Sequence, residues 1–149
     1  MVSFRPATLD RNDEHAVKSD DQLIDELREA TRGLLFMSES DYPLEVVRWE
    51  SVAEPAPDFL RGLTGHADSE PVEAQSAEEF FRAAASEAEW KGAGELAAAR
   101  KFQALLRLLE ENLSGVRAFR VGTINVPVYV VGRSPSGAWL GVSTRVVET

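Results

Sequence analysis

The stretch ELAAARKFQALLRLLEENL, residues 95–113, is the clearest secondary-structure signal in the chain and decides the fold class. Apolar residues recur in it three or four positions apart, which is the spacing of one face of an α-helix. They are Leu96, Ala99, Phe102, Leu106, Leu109 and Leu113. Gly115 follows and predicts the end of the helix. Because a helix with one apolar stripe must cover another apolar surface, the rest of the chain is expected to supply a sheet.

Three Val-rich segments downstream of this helix predict that sheet. They are residues 117–122, 126–132 and 138–147. The links between them, TIN and RSPSG, are short, and short links make neighbouring strands antiparallel. Residues 44–51, further upstream, predict a fourth strand with one wet face. The sequence therefore predicts an α+β sandwich with a four-stranded, mainly antiparallel sheet and helices on both faces.

Two capping boxes predict where two more helices begin. In each, a serine is followed three residues later by Gln or Glu: Ser19 with Gln22, and Ser76 with Glu79. Apolar residues follow each box at helical spacing, and Gly33 predicts the end of the first helix.

The remaining segments set the domain limits. Residues 1–18 are mixed and without periodicity, so they predict a disordered or loosely packed lead, and residues 19–149 predict one domain. Residues 52–75 contain several Pro and Gly residues and predict a long connection, with one short helical turn at residues 58–63.

The composition removes several classes of protein. The chain has 149 residues, enough to bury a core without staples, and it has no cysteine, which excludes disulfides and thiolate zinc sites. It shows neither a signal-peptide pattern nor an apolar run long enough to cross a membrane. We expect a cytoplasmic protein with no membrane association.

The net charge of −9 is unevenly distributed along the chain. Residues 36–95 hold 14 of the 25 acidic residues and 4 of the 16 basic ones. This disfavours direct nucleic-acid binding, because phosphate is met by Lys and Arg. It favours a basic protein partner, although an acidic surface also serves solubility alone.

A second stretch, GLLFMSESDYPLEVVRWE at residues 33–50, carries the candidate site. One apolar segment ends at Met37 and another begins at Leu44. Between them lies a turn with two hydroxyls and two carboxylates. We call residues 38–41 the acid turn; its members are Ser38, Glu39, Ser40 and Asp41. Because buried segments flank the turn on both sides, we expect a rigid presentation of acid.

Catalytic and metal-binding alternatives have weak support. The chain has two histidines, His15 and His66, and neither a G-x-S-x-G elbow nor a phosphate-binding glycine loop. Glu39 and Asp41 could chelate a cation, but the calcium-loop pattern is missing. We expect a protein that is not an enzyme and has no cofactor or metal of its own. An enzyme using Glu39, Asp41 and His66 stays open as the least favoured reading.

Two further positions are candidate contacts. Trp90 lies beside Glu89 and shortly before Gly92 and Gly94, where an indole either pins the loop or serves as an exposed binding residue. Thr149 ends the sequence directly after a β-prone segment, which would hold it in place.

Several separated blocks resemble one known family. The run at residues 33–50, the helix segment AARKFQALLRLLEENL, the strand pair around VPVYVVGRSPSG and the closing GVSTRVVET are together similar to the nuclease A inhibitors. The resemblance covers residues 19–149. It implies an α/β/α sandwich that inhibits a non-specific, magnesium-dependent DNA and RNA endonuclease of the ββα-metal class.

The resemblance also implies roles for individual residues. Glu39 would engage an arginine in the active site of the nuclease, and Thr149 would reach its catalytic magnesium. Glu89 and Trp90 would add contacts, with Glu89 replacing the Asp of the family pattern. The alternative hypothesis is an acidic protein-binding module on the same scaffold with a non-nuclease partner.

Overall fold

The computed structural model describes residues 18–50, 55–65, 70–89 and 91–148. Within them the elements, in chain order, are α1 (Asp20–Thr31), β1 (Leu35–Met37), β2 (Asp41–Pro43), β3 (Glu45–Trp49), α2 (Pro57–Thr64), β4 (Val72–Ser76), α3 (Ala77–Phe81), α4 (Ala93–Asn112), β5 (Ser114–Val121), β6 (Asn125–Arg133) and β7 (Trp139–Val147). The α+β class is confirmed. The predicted lead, residues 1–18, lies outside the described residues except for Lys18.

The main sheet has five antiparallel strands in the order β3-β7-β6-β5-β4, where the sequence predicted four. The additional strand is β4, which falls within the predicted connection at residues 52–75. Its sequence, VEAQS, contains residue types that are uncommon in strands. β4 forms because its backbone pairs with β5, where Glu73 lies directly opposite Arg120. That long-range pairing leaves no local signature in the sequence.

The largest core lies between the sheet and the two long helices. One apolar cluster joins α1, α4, β6 and β7; its members include Leu23, Leu27, Phe102, Leu105, Leu109, Val128, Val130 and Val142. α2 contacts the opposite face of the sheet, where the ring of Trp49 lies 5.1 Å from Phe59 and 5.3 Å from Tyr129. Tyr129 must point away from Val128 and Val130, because successive strand residues face opposite sides.

A phenylalanine cluster fixes β1 to this core. Phe36 of β1 stacks on Phe80 of α3, with the ring centroids 4.6 Å apart. It also contacts Phe81 and Phe102 edge-on, at 6.2 and 5.9 Å. Such aromatic pairs contribute about 0.5–1.5 kcal/mol each beyond their area burial. β1 is therefore immobilised through its central residue.

The predicted helix starts are confirmed, and one predicted helix end is wrong. The hydroxyls of Ser19 and Ser76 accept hydrogen bonds from the third residue of α1 and α3, at 3.1 and 3.0 Å. α4 ends at Asn112, and Gly115 lies within β5 instead of closing the helix. Its φ of 60° is left-handed, and the register between β5 and β6 shifts here. Gly115 thus allows an irregularity in the strand. A left-handed backbone favours glycine there, as it does at the end of a helix.

Candidate partner-binding surface

The acid turn connects the two strands of a short hairpin. β1 and β2 pair antiparallel, with Met37 opposite Asp41. Ser38 closes the turn, because its backbone N–H and its hydroxyl both donate to the carbonyl oxygen of Ser40, at 3.1 and 2.9 Å. Glu39, Ser40 and Asp41 are exposed and Ser38 is half-buried. The turn therefore carries two exposed carboxylates on a hydrogen-bonded frame.

The end of β7 holds the hairpin in position. β7 extends beyond its pairing with β3, and there its backbone bonds to the hairpin instead. The Val147 N–H donates to the hydroxyl of Ser38 at 3.0 Å, and the Glu39 N–H donates to the Val147 carbonyl at 3.4 Å. The Thr144 hydroxyl donates to the Pro43 carbonyl at 3.0 Å. The hairpin forms its own two-stranded sheet, and these hydrogen bonds tie the acid turn to the end of the main sheet.

Glu148, the residue after β7, is fixed in turn by the β5–β6 connection. Its N–H donates to the Ile124 carbonyl at 2.9 Å, and its carboxylate accepts a hydrogen bond from the guanidinium of Arg120. Thr149 follows Glu148 in sequence and lies outside the described residues. The described chain therefore stays beside the acid turn as far as Glu148.

The connection between α3 and α4, residues 82–92, contains the exposed Glu89. Lys91 secures this connection, because its ammonium donates to the carbonyls of Ala83 and Ser86 at 2.9 and 2.6 Å. Trp90 lies outside the described residues. Hydrogen bonds from Lys91, two residues after Glu89, therefore join the two ends of the connection.

Glu87 ties the same connection to α4. The side-chain amide of Gln103 donates to its carboxylate at 2.9 Å, and Arg100 forms an ion pair with it at 3.5 Å. The Gln103 hydrogen bond, and then the positive charge of Arg100, lower the pKa of Glu87 below its ordinary value. Glu87 therefore remains a carboxylate at neutral pH and keeps these contacts.

A groove with a volume of about 290 Å³ separates the hairpin from this connection. Its hairpin wall consists of Leu35, Phe36 and Met37, and the opposite wall includes Ala83, Lys91 and Ala98. Met37 lies two residues before Glu39, and Lys91 lies two residues after Glu89. The groove thus lies between the hairpin that carries the acid turn and the connection that carries Glu89.

The predicted site residues fall into two groups. The structure describes five of them: Ser38, Glu39, Ser40 and Asp41 form one turn, and Glu89 lies on the connection between α3 and α4. Trp90 and Thr149 lie outside the described residues, so their contacts stay predictions.

The sequence reading missed the residues that support and flank the turn. Val147 and Thr144 hold the hairpin, and Leu35 and Met37 line the groove. Leu35 and Met37 are exposed on either side of the buried Phe36. Because the run LLFM is apolar at every position, the sequence carried no signal of this alternation.

The described residues also bear on two other kinds of site, a metal centre and a membrane-spanning helix. Among them, no group of three or more His, Cys, Asp or Glu side chains could hold a metal ion. None of the helices described there combines the length and apolar character needed to cross a membrane. His15 and His66 lie outside the described residues.

Comparison with known proteins gives one match. Residues 21–149 match the family model described as nuclease A inhibitor-like protein. A search of curated proteins found no match. The family match spans the described helices and strands and includes every predicted site residue.

Proposed function

This chain belongs to the nuclease A inhibitor-like family, and we propose that it is a non-enzymatic, stoichiometric inhibitor of a nuclease. The target is a magnesium-dependent endonuclease that degrades DNA and RNA without sequence preference. The inhibitor occupies the active site and is not turned over. The observation that carries this proposal is the acid turn, a carboxylate-bearing loop fixed to the end of a central strand.

A fixed carboxylate can replace a phosphate oxygen in a nuclease active site. Such a site is basic and holds a metal ion, because it must neutralise the phosphate of its substrate. Glu39 would accept charge-assisted hydrogen bonds from an arginine in that site. Because Ser38 and Val147 already hold the turn, little conformational entropy is lost on binding. Asp41 and the two serine hydroxyls add polar contacts at the rim.

The other proposed contacts flank the acid turn. The hydroxyl of Thr149 is a hard oxygen ligand of the kind that magnesium accepts, so this residue would reach the metal of the nuclease. Trp90 would supply a desolvated contact, and Glu89 a second carboxylate. The hydrogen bond between Glu148 and Ile124 supports the role of Thr149, because it fixes the preceding residue.

The family fold agrees with the contacts of the helices. We infer the α/β/α layering from α1 and α4 packing on one face of the sheet and the Trp49–Phe59 contact on the other. This layering leaves the exposed residues of the acid turn, Glu39, Ser40 and Asp41, accessible to a partner. We also infer a cytoplasmic location, which cell fractionation would test.

The proposal is tested by measuring how strongly the unchanged protein, and variants in which one Glu is replaced by Gln, inhibit a ββα-metal nuclease. We expect the unchanged protein to abolish DNA degradation by a ββα-metal nuclease at an equimolar ratio. Glu39→Gln keeps the shape and removes the charge, so it should weaken binding by about 2–5 kcal/mol, because the arginine of the partner is left buried and unpaired.

Glu110→Gln on α4 is the matched control, since it removes the same charge from an exposed position remote from the hairpin. Equal inhibition by both variants would remove Glu39 from the interface. A protein that leaves DNA degradation unaffected at every ratio, and co-purifies only with non-nuclease partners, would instead be the acidic protein-binding module.

A further inference from the structure

Two of the four large apolar side chains that are exposed in the described residues lie on the hairpin that carries the acid turn. The four are Leu35 at 45 %, Met37 at 58 %, Leu63 at 46 % and Ile124 at 57 %. Ile124 lies beside the end of β7, because its carbonyl accepts a hydrogen bond from the N–H of Glu148, and Leu63 lies on α2. An apolar patch rimmed by polar residues marks an interaction surface.

Leu35 and Met37 open onto the groove between the hairpin and residues 82–92. Its volume of about 290 Å³ is close to the lower limit of ligand pockets, roughly 300–1,000 Å³. The charged groups at its rim already have partners within the chain. Lys91 donates to two backbone carbonyls, and the carboxylate of Glu95 accepts from the Gly92 N–H at 3.1 Å. The apolar walls are what the groove offers a ligand.

We propose that this groove receives a large apolar side chain from the nuclease, at the border of the basic site that binds Glu39. This inference rests on the proposed function and extends the same surface. Met37 is two residues from Glu39, so a partner that contacts Glu39 also covers the groove. Methionine suits this role because its flexible thioether adapts to the shape of an inserted side chain.

Charge selects a basic protein over a second copy of this chain. A symmetric dimer would place the same patch on both subunits and so bring two acid turns close together. Glu39 and Asp41 would then meet their own copies, and juxtaposed like charges are costly. A basic partner gains from the same two carboxylates, and its apolar side chain gains from the groove.

Replacing exposed apolar residues of the groove by serine, and comparing them with the same replacement at Leu63, tests the groove. With a ββα-metal nuclease that the unchanged protein inhibits, Met37→Ser and Leu35→Ser should each raise the dissociation constant on the order of tenfold, because apolar burial is lost. Leu63→Ser is the control, since Leu63 and Leu35 are almost equally exposed; it should change binding less than about twofold. Calorimetry should give a less negative heat-capacity change of binding for Met37→Ser.

A variant that fills the groove with a larger side chain tests the same proposal without removing apolar surface. Ala83 lines the groove and is exposed, so Ala83→Phe should block it and weaken inhibition, whereas Ala97→Phe on the exposed side of α4 should not. If the groove variants match Leu63→Ser and Ala97→Phe while Glu39→Gln still weakens inhibition, the groove proposal alone is wrong. If Glu39→Gln also has no effect, the proposed function fails. Sedimentation showing a dimer that Met37→Ser dissociates would assign the groove to a second copy and overturn the proposal.

Discussion

Ser38 holds the acid turn through its hydroxyl, and its replacement by alanine is the sharpest test of how the turn is built. The hydroxyl donates to the Ser40 carbonyl at 2.9 Å and accepts from the Val147 N–H at 3.0 Å. Ser38→Ala removes both hydrogen bonds and leaves the N–H of Val147 without its acceptor. The backbone bond between Glu39 and Val147 is already long at 3.4 Å and would then act alone.

The expected loss follows from these two bonds. A hydrogen bond contributes a net of about 0.5–1.5 kcal/mol, and these two lie at an exposed or half-buried turn, where we take about 0.5–1 kcal/mol for each. The free energy of unfolding should therefore fall by about 1–2 kcal/mol. For a chain of this size the melting temperature should drop by about 3–8 °C. Inhibition should weaken by about 5- to 30-fold as well, because an equivalent free energy is needed to order the loosened turn in the complex.

Ser40→Ala is the matched control, because Ser40 acts in the turn through its backbone carbonyl, which the substitution retains. We expect its melting temperature to stay close to that of the unchanged protein, and its inhibition to weaken less than that of Ser38→Ala, because only the rim contact of the Ser40 hydroxyl is lost. The measurements are thermal unfolding and titration of nuclease activity for both variants. If Ser38→Ala melts and inhibits like Ser40→Ala, then the hydroxyl of Ser38 does not position Glu39.

Three further outcomes follow from other contacts. Gly141→Ala would place a Cβ 1.9 Å from the carbonyl oxygen of Val130, so urea unfolding should show a loss of about 3 kcal/mol or more; Gly62→Ala on α2 meets nothing within 4 Å and should be neutral or stabilising. Burial raises the pKa of Tyr129, and the positive charge of Arg145 lowers it by a smaller amount. Because the pKa is higher in the folded protein, the neutral phenol contributes stability that is fully present below about pH 10. This stability should disappear as pH rises through the raised pKa, and melting curves of Tyr129→Phe should decline less over that range. A short C-terminal extension after Thr149 should leave the melting temperature unchanged and reduce inhibition of the nuclease, and full inhibition by the extended protein would contradict the role of Thr149.

The sequence predicted the elements whose signal is local. The apolar stripe of α4 and both capping boxes appear where expected, because a helix is specified by residues three and four apart. The strands of the central sheet were also found, since β6 and β7 are buried and rich in Val. These elements were sufficient to predict the α+β class.

The sequence could not predict what depends on distant backbone pairing. β4 was missed because VEAQS becomes a strand only beside β5. The acid turn was found as a feature of composition, but its support comes from Val147 and Thr144, more than 100 residues further along the chain. The groove beside Met37 likewise needs the 82–92 connection to form its second wall. No residue pattern within 33–50 contains this information.

The structure of the sheet edge explains why this hairpin is suited to present acid. β7 is longer than its pairing with β3, and an uncovered strand end is a template for unwanted pairing with other chains. Ser38 and Glu39 cover that end with backbone and hydroxyl bonds, so the contacts that protect the edge also align the carboxylate of Glu39. Phe36 fixes the hairpin to the core from its other side. Since the bonds of the turn lie outside the core, loosening them should weaken partner binding well before the protein unfolds.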